Sequence, residues 1–212
     1  MPQELANLHS RWDALFRGIG TPPVRHHEFD QLVRHYRELH RGYHTLAHIA
    51  DCLRQFDGVR HLVPRDADTI EAAIWFHDVI YDPRGSDNEG ASADYATAAL
   101  ARLGADEPFR NEVHRLIGLT RHGELPEDLP GKLLVDVDLS SLGASSAVFD
   151  QNGENIRREF AHVDDATYRR ARADILRKFA ARPRIYLTDV FFTRYEESAR
   201  ANLRRAIAAL QG

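Results

Sequence analysis

The chain has 212 residues, 43% hydrophobic and 28% charged, which is enough to bury a large core in an ordinary globular domain. Its formal net charge of -4 gives no electrostatic reason to bind nucleic acid or a membrane surface, and no apolar run approaches the ~20 residues needed to cross a bilayer. A single cysteine, Cys52, excludes an internal disulfide and a thiolate zinc site, and points to the cytoplasm.

Helical periodicity runs through almost the whole chain, and no strand-like alternation of useful length interrupts it. The opening MPQELANLHSRW reads as an amphipathic helix and not as a signal peptide. Leu5, Leu8, Trp12, Leu15 and Ile19 mark this first helix, which ends in the region of Gly18 and Gly20. Phe29, Leu32, Val33, Tyr36 and Leu39 mark a second. Thr45 suits the N-cap of a third, which carries Leu46, Ile49, Leu53 and Phe56. A fourth is expected from near Arg65 to about Tyr81, because Pro83 disfavours helix at Asp82. Ser86 and Glu89 have capping-box spacing for a fifth helix, which ends at Leu103 with Gly104 as its C-cap. Phe109, Val113, Leu116 and Ile117 lie on a sixth, followed by the loop RHGELPEDLPG. Three further helices are expected at KLLVDVDLSSLG, from Ala147 to His162 with Gly153 inside it, and from Asp164 and Asp165 to Pro183. The last carries Phe192, Tyr195, Ala199, Leu203, Ile207 and Leu210. With no repeat, linker or low-complexity tract, the expectation is an all-α bundle forming one domain over residues 1–212.

Twelve histidines is a high count, and four polar residues fall where packing explains them poorly. His77 shares the apolar stripe of Ile70, Ala73 and Ile74, and Asp78 borders the same face. A buried carboxylate is costly unless it is paired or bound to a cation. His48 lies off the Leu46–Ile49–Leu53 stripe, on a strip with His44 and Cys52. At about 100° per residue, Leu134, Val135, Leu139 and Leu142 form an arc with Asp138 near its centre. Asp138 is therefore expected to be buried, and Asp136 to be solvated or a supporting partner. His48, His77, Asp78 and Asp138 make an imidazole–carboxylate set suited to a divalent ion of zinc, iron, manganese, magnesium or cobalt, one or two per chain.

The order H…HD…D on helices resembles the HD superfamily of metal-dependent phosphohydrolases. YHTLAH is similar to the YHNxxH segment of its class I cyclic-nucleotide phosphodiesterases, and Asp138–Ser140 to the DLS around their last metal-binding aspartate. The whole chain looks more like a small bacterial group of HD phosphohydrolases carrying RxYHTLxHI, FHDxxYDPxxxDNE and DxDLxxLG, with a late segment like RIYLTDVFFTRYEESARANL. The resemblance implies His48, His77, Asp78 and Asp138 as metal ligands, and His44 as proton donor to the leaving oxygen. YDPRG stands where the phosphodiesterases have HPG, and their long nucleotide-pocket region is absent, so cyclic-nucleotide specificity does not carry over.

The activity so implied is hydrolysis of a phosphate ester, in a nucleotide or related small phosphorylated metabolite, by a metal-activated water. Asp78 could bridge to a second ion completed by His122, Asp82 and Glu89. Glu89 has a competing role in the capping box with Ser86, Asn88 could contact substrate or cap the helix, and His122 follows a helix end that favours a cation. Arg84 and Arg121 are the candidate phosphate-binding residues. Two other readings stand beside this one. One is a non-catalytic nucleotide- or metal-binding signalling module. The other is a di-iron oxygenase of the HD fold, for which only His114 and His122 could supply the extra histidines.

Overall fold

A computed structural model describes residues 2–18 and 20–211. Among these the chain is all-helical, with ten α-helices and no strand. They are α1 (Pro2–Leu15), α2 (Pro22–His35), α3 (Leu46–Asp57), α4 (Ala67–Phe76), α5 (Asn88–Leu103), α6 (Glu107–Leu119), α7 (Leu129–Asp138), α8 (Ser146–Glu159), α9 (Asp165–Ala180) and α10 (Asp189–Gln211). A 3-10 turn, Leu139–Gly143, extends α7. Ile19, expected on the stripe of α1, lies outside the described residues.

One continuous apolar core runs through the chain. Helix α4 is its axis. All ten of its residues but Asp68 and Thr69 are buried, and it packs on α3, α5, α6 and α7. Trp12 and Trp75 meet edge to face at 5.7 Å in the core between α1 and α4. Helix α10 packs on α9 and on the 3-10 turn. There Tyr186 donates to Leu139 O, Asn202 to Leu142 O and Ala144 O, and Ser198 to Gly143 O, so the turn beyond α7 is held from the C-terminal side.

The caps explain most of the helix boundaries. Thr45 accepts from Ala47 N at the start of α3, as expected. Gly104 ends α5 with φ +88°, in the left-handed region that favours glycine. The start of α5 differs from expectation: its N-cap is Asp87, which accepts from Gly90 N, in place of the Ser86–Glu89 box. Helix α4 stops at Phe76, five residues before Tyr81. Arg41 takes the carbonyls of Asp78 and Val79 that further helix would have used, and Val79 N turns back to Phe76 O. Helix α2 ends at His35 and the chain turns tightly, leaving Leu39 fully exposed and outside the core. On α10 the buried phenylalanine is Phe191, and Phe192 faces outward. The buried face there includes Glu196 and Asn202, polar residues that obscured the apolar period.

Candidate metal centre

Three elements bring the four expected ligands together. His48 is in the first turn of α3, His77 and Asp78 form the turn that ends α4, and Asp138 is the last residue of α7. His48 Nε2 lies 3.2 Å from His77 Nε2, 3.2 Å from Asp138 Oδ1 and 3.6 Å from Asp78 Oδ2. His77 Nε2 lies 3.1 Å from Asp78 Oδ2 and 3.4 Å from Asp138 Oδ1. Ligand bonds of about 2.1 Å imply ligand–ligand edges of roughly 3.0 Å in an octahedron and 3.4 Å in a tetrahedron. The edges that run from the two histidines therefore have roughly the lengths of edges in a coordination shell.

The hydrogen bonding behind them fits the same purpose. His77 Nδ1–H donates to Ile74 O at 3.0 Å, which leaves its Nε2 lone pair directed at the cluster. An imidazole lone pair facing two carboxylates requires a cation between them, either a proton or a metal ion. Burial works against a charge on His77, but Asp78 and Asp138 outweigh it and hold its pKa well above the usual histidine range. Burial likewise opposes ionisation of Asp78 and Asp138. The surrounding histidines prevail, holding Asp78 low and Asp138 well below the carboxylate range. The donor set fits a divalent ion, and these buried groups could hold one.

Cys52 stands one turn beyond His48, its sulfur 3.7 Å from the ring nitrogens. Burial, Asp138 and Asp78 push its thiol pKa well up, so it meets His48 as a neutral thiol.

Asp136 is the main correction. It is fully buried, not solvated. Its carboxylate accepts from Leu187 N, Thr188 N and Thr188 Oγ1 at 2.6–2.7 Å, which ties α7 to the start of α10. The arc reading failed because α7 is enclosed on both sides, so the face opposite the apolar arc also meets protein.

His44 occupies the loop before α3, on the rim of the cluster. Its Nδ1–H donates to Glu159 Oε2 at 2.7 Å, and its ring stacks on Tyr81 at 4.0 Å. Glu159, the last residue of α8, went unnoticed in the sequence. Its side chain is fully buried and accepts the N–H groups of Gly42, Tyr43 and His44 on one oxygen, and His44 Nδ1 and the Tyr81 hydroxyl on the other. Burial alone would raise its pKa, but His44 and the backbone donors hold it at about 2. Only contact across 115 residues reveals this partner, and no local spacing signals it. Arg41 was also missed. It is buried, and its guanidinium donates to the carbonyls of His44, Asp78 and Val79 and to Glu38. It thereby joins the His44 loop to the His77–Asp78 turn.

The other candidates divide. His122 Nε2–H donates to Asp138 Oδ2 at 3.0 Å, from a residue with φ +55°, so it orients the Asp138 carboxylate. Among the described residues no close group of potential ligand atoms includes His122, Asp82 or Glu89, so the structure does not assemble the expected second ion site. Asn88 closes loop 82–88, donating to Asp82 O and accepting from Asp82 N, while the Asp82 carboxylate accepts from Arg84 N. Arg84 is exposed and does not line the pocket. Arg121 and Glu89 do line it, with Arg121 paired to Asp87. His114 is exposed and faces Asp94, far from the cluster in its contacts.

Asp138, His44 and His122 open onto a pocket of about 760 Å³. Its near wall holds Tyr43 and Tyr81, and its far wall is built from α8 and α9. Tyr43 bonds Ser141 Oγ at 2.7 Å across the floor. The arrangement can bind a cation at one end of a cleft, with a held imidazole beside it. No family model, curated protein or solved structure matches the chain.

Proposed function

We propose that this chain is a metal-dependent phosphohydrolase acting on a nucleotide or other small phosphorylated metabolite. The observation that carries the reading is the convergence of His48, His77, Asp78 and Asp138 at the end of a pocket whose rim holds the Glu159-bound His44. A divalent ion on those four residues would supply Lewis-acid polarisation of the phosphoryl group and acidify a water for attack.

The chain's own residues account for the remaining steps. His44, with Nδ1 held by Glu159, presents Nε2–H to the leaving oxygen and protonates it as the ester bond breaks. Ionised Glu159 stabilises the imidazolium before transfer and fixes which nitrogen gives up the proton. Tyr81 stacks on the ring and limits its rotation. His122 holds Asp138 by its outer oxygen, so the inner one stays directed at the cluster. The buried lone thiol fits the reducing cytoplasm as the place of action.

The test combines elemental analysis with a turnover screen over mono-, di- and cyclic nucleotides and simple phosphate esters, with manganese, magnesium, cobalt, zinc or iron added. The expected result is a bound divalent ion, its loss in His77→Ala, and full metal content with turnover reduced by about 10²–10⁴-fold in His44→Ala. Identical metal content in wild type and His77→Ala sinks the ligand set. Tight nucleotide binding with no turnover under any metal makes the protein a binding module instead.

A further inference from the structure

The pocket beyond the metal centre has features that this mechanism does not use. Two helical faces form its far wall. Helix α8 contributes Phe149, Asn152, Gly153 and Ile156, spaced three or four apart, and α9 contributes Arg172, Ile175 and Phe179 at the same spacing. The wall is mostly apolar, with Arg172 and Lys178 as its cations.

Arg172 makes no hydrogen bond and no ion pair among the described residues. Tyr168, Tyr43, Tyr81 and Glu159 reach it only through longer-range electrostatics, and it lines the same pocket as His44. A half-buried guanidinium is costly to leave unpaired. Its five N–H donors in a fixed fork match a phosphate. Four cations line the pocket against two carboxylates, and one of those two, Asp138, belongs to the metal cluster, so the balance favours an anion.

Gly153 is the second, independent observation. It lies inside α8 with a negative φ, and a Cβ built on it meets nothing within 4 Å. No backbone strain or close approach requires a glycine there. Mid-helix glycine costs about 0.5–1 kcal/mol relative to alanine. What the missing side chain preserves is open pocket beside Phe149 and Ile156.

We propose that the pocket is built for a phosphate ester whose alcohol carries a bulky apolar group. Arg172 binds the phosphate, and the group fills the space kept open at Gly153 against Phe149, Ile156 and Ile175. The inference rests on the phosphohydrolase reading for the role of the metal end, but the binding it predicts is independent of turnover.

The test is calorimetric titration of the metal-free protein, held in chelator, with 1-naphthyl phosphate, 1-naphthol and glycerol 3-phosphate. Expected is binding of 1-naphthyl phosphate at least about ten-fold tighter than either of the others, since each lacks one of its two handles. Arg172→Gln should erase the advantage over 1-naphthol. Gly153→Leu, which has room to fold, should erase the advantage over glycerol 3-phosphate. Helical circular dichroism and melting temperature establish that both variants are folded. If 1-naphthyl phosphate binds no tighter than glycerol 3-phosphate, or if both variants bind all three like wild type, the proposal is overturned. Turnover is measured separately with metal restored. The expected binding pattern without turnover under any metal defeats the hydrolase reading and leaves the pocket assignment standing. Turnover without that pattern does the reverse.

Discussion

At the scale of single residues, the most consequential side chain is Glu159, because five donors converge on it and one of them is His44. In Glu159→Gln the amide oxygen can still accept the backbone N–H groups, but the amide nitrogen then faces His44 Nδ1 as a donor. That arrangement disfavours the imidazolium needed to protonate a leaving group. Turnover should fall about 10–100-fold while metal content measured by elemental analysis stays that of wild type. The same carboxylate makes stability depend on pH. Its folded pKa of about 2 lies below the ordinary 4.5, so its contribution is full above about 4.5 and is lost as pH falls toward 2. The integrated effect is on the order of 3 kcal/mol. Denaturant midpoints followed across that window should drop steeply in wild type and less in Glu159→Gln; parallel profiles would reject the assignment. The cluster of His48, His77, Asp78 and Asp138 was legible in part: His77, Asp78 and Asp138 stand on or beside apolar arcs, whereas His48 lies off its stripe and was singled out by the family likeness. Glu159 and Arg41 were not legible, because nothing within a turn of either residue marks its role.

At the scale of elements, two joints position the site. One is the carboxylate of Asp136, which binds α7 to α10. Asp136→Asn replaces one acceptor oxygen with a donor facing backbone N–H groups, and should cost about 1–3 kcal/mol in chemical denaturation without changing metal content. Asp138→Asn, two residues away, should instead lower metal content. Burial holds the Asp136 pKa above its usual value despite the three donors, so the folded chain takes up this proton more readily than the unfolded one, and the group's contribution to stability grows as pH falls through that range. The second joint is the approach of loop 42–45 to α8. A Cβ on Gly42 would collide with the backbone carbonyl of Asn155, which no rotamer change can relieve. Gly42→Ala should therefore push the loop off α8, stretch the bonds to Glu159 and lower both melting temperature and turnover, with thermal unfolding and steady-state rates as the measurements. Helix existence was readable from periodicity, but several ends were not. Asp87 displaced the Ser86–Glu89 box, and Arg41 ended α4 early, because such ends are decided by which distant group reaches the free backbone.

For the whole molecule, the donor cluster links α3, α4 and α7 at a single point. A divalent ion at 100 times its dissociation constant adds about 2.7 kcal/mol to stability. In a chain of this length that corresponds to a rise of roughly 5–11 °C in melting temperature. Differential scanning calorimetry with manganese and then with chelator should show the shift in wild type and none in His77→Ala. Among the described residues no helix is long and apolar enough to cross a membrane, in keeping with the mixed composition. The all-α architecture was plain from the sequence. The pocket was not, since its far wall comes from α8 and α9, where Phe149 and Arg172 read as unremarkable in isolation and Gly153 stood out only as a glycine inside a helix.

The buried Arg41 guanidinium also governs which parts of the molecule can move. Separating the His44 loop from the His77–Asp78 turn would strip it of the Asp78 and Val79 carbonyls at once, so that wall of the cleft opens only with global unfolding. Helix α9 packs chiefly on α10 and carries the exposed Ile175 and Lys178 at the pocket edge. Ligand entry is thus left to α9. In native-state hydrogen exchange, its amides should be released by small local openings, and those of α3 and α4 only at the full free energy of unfolding.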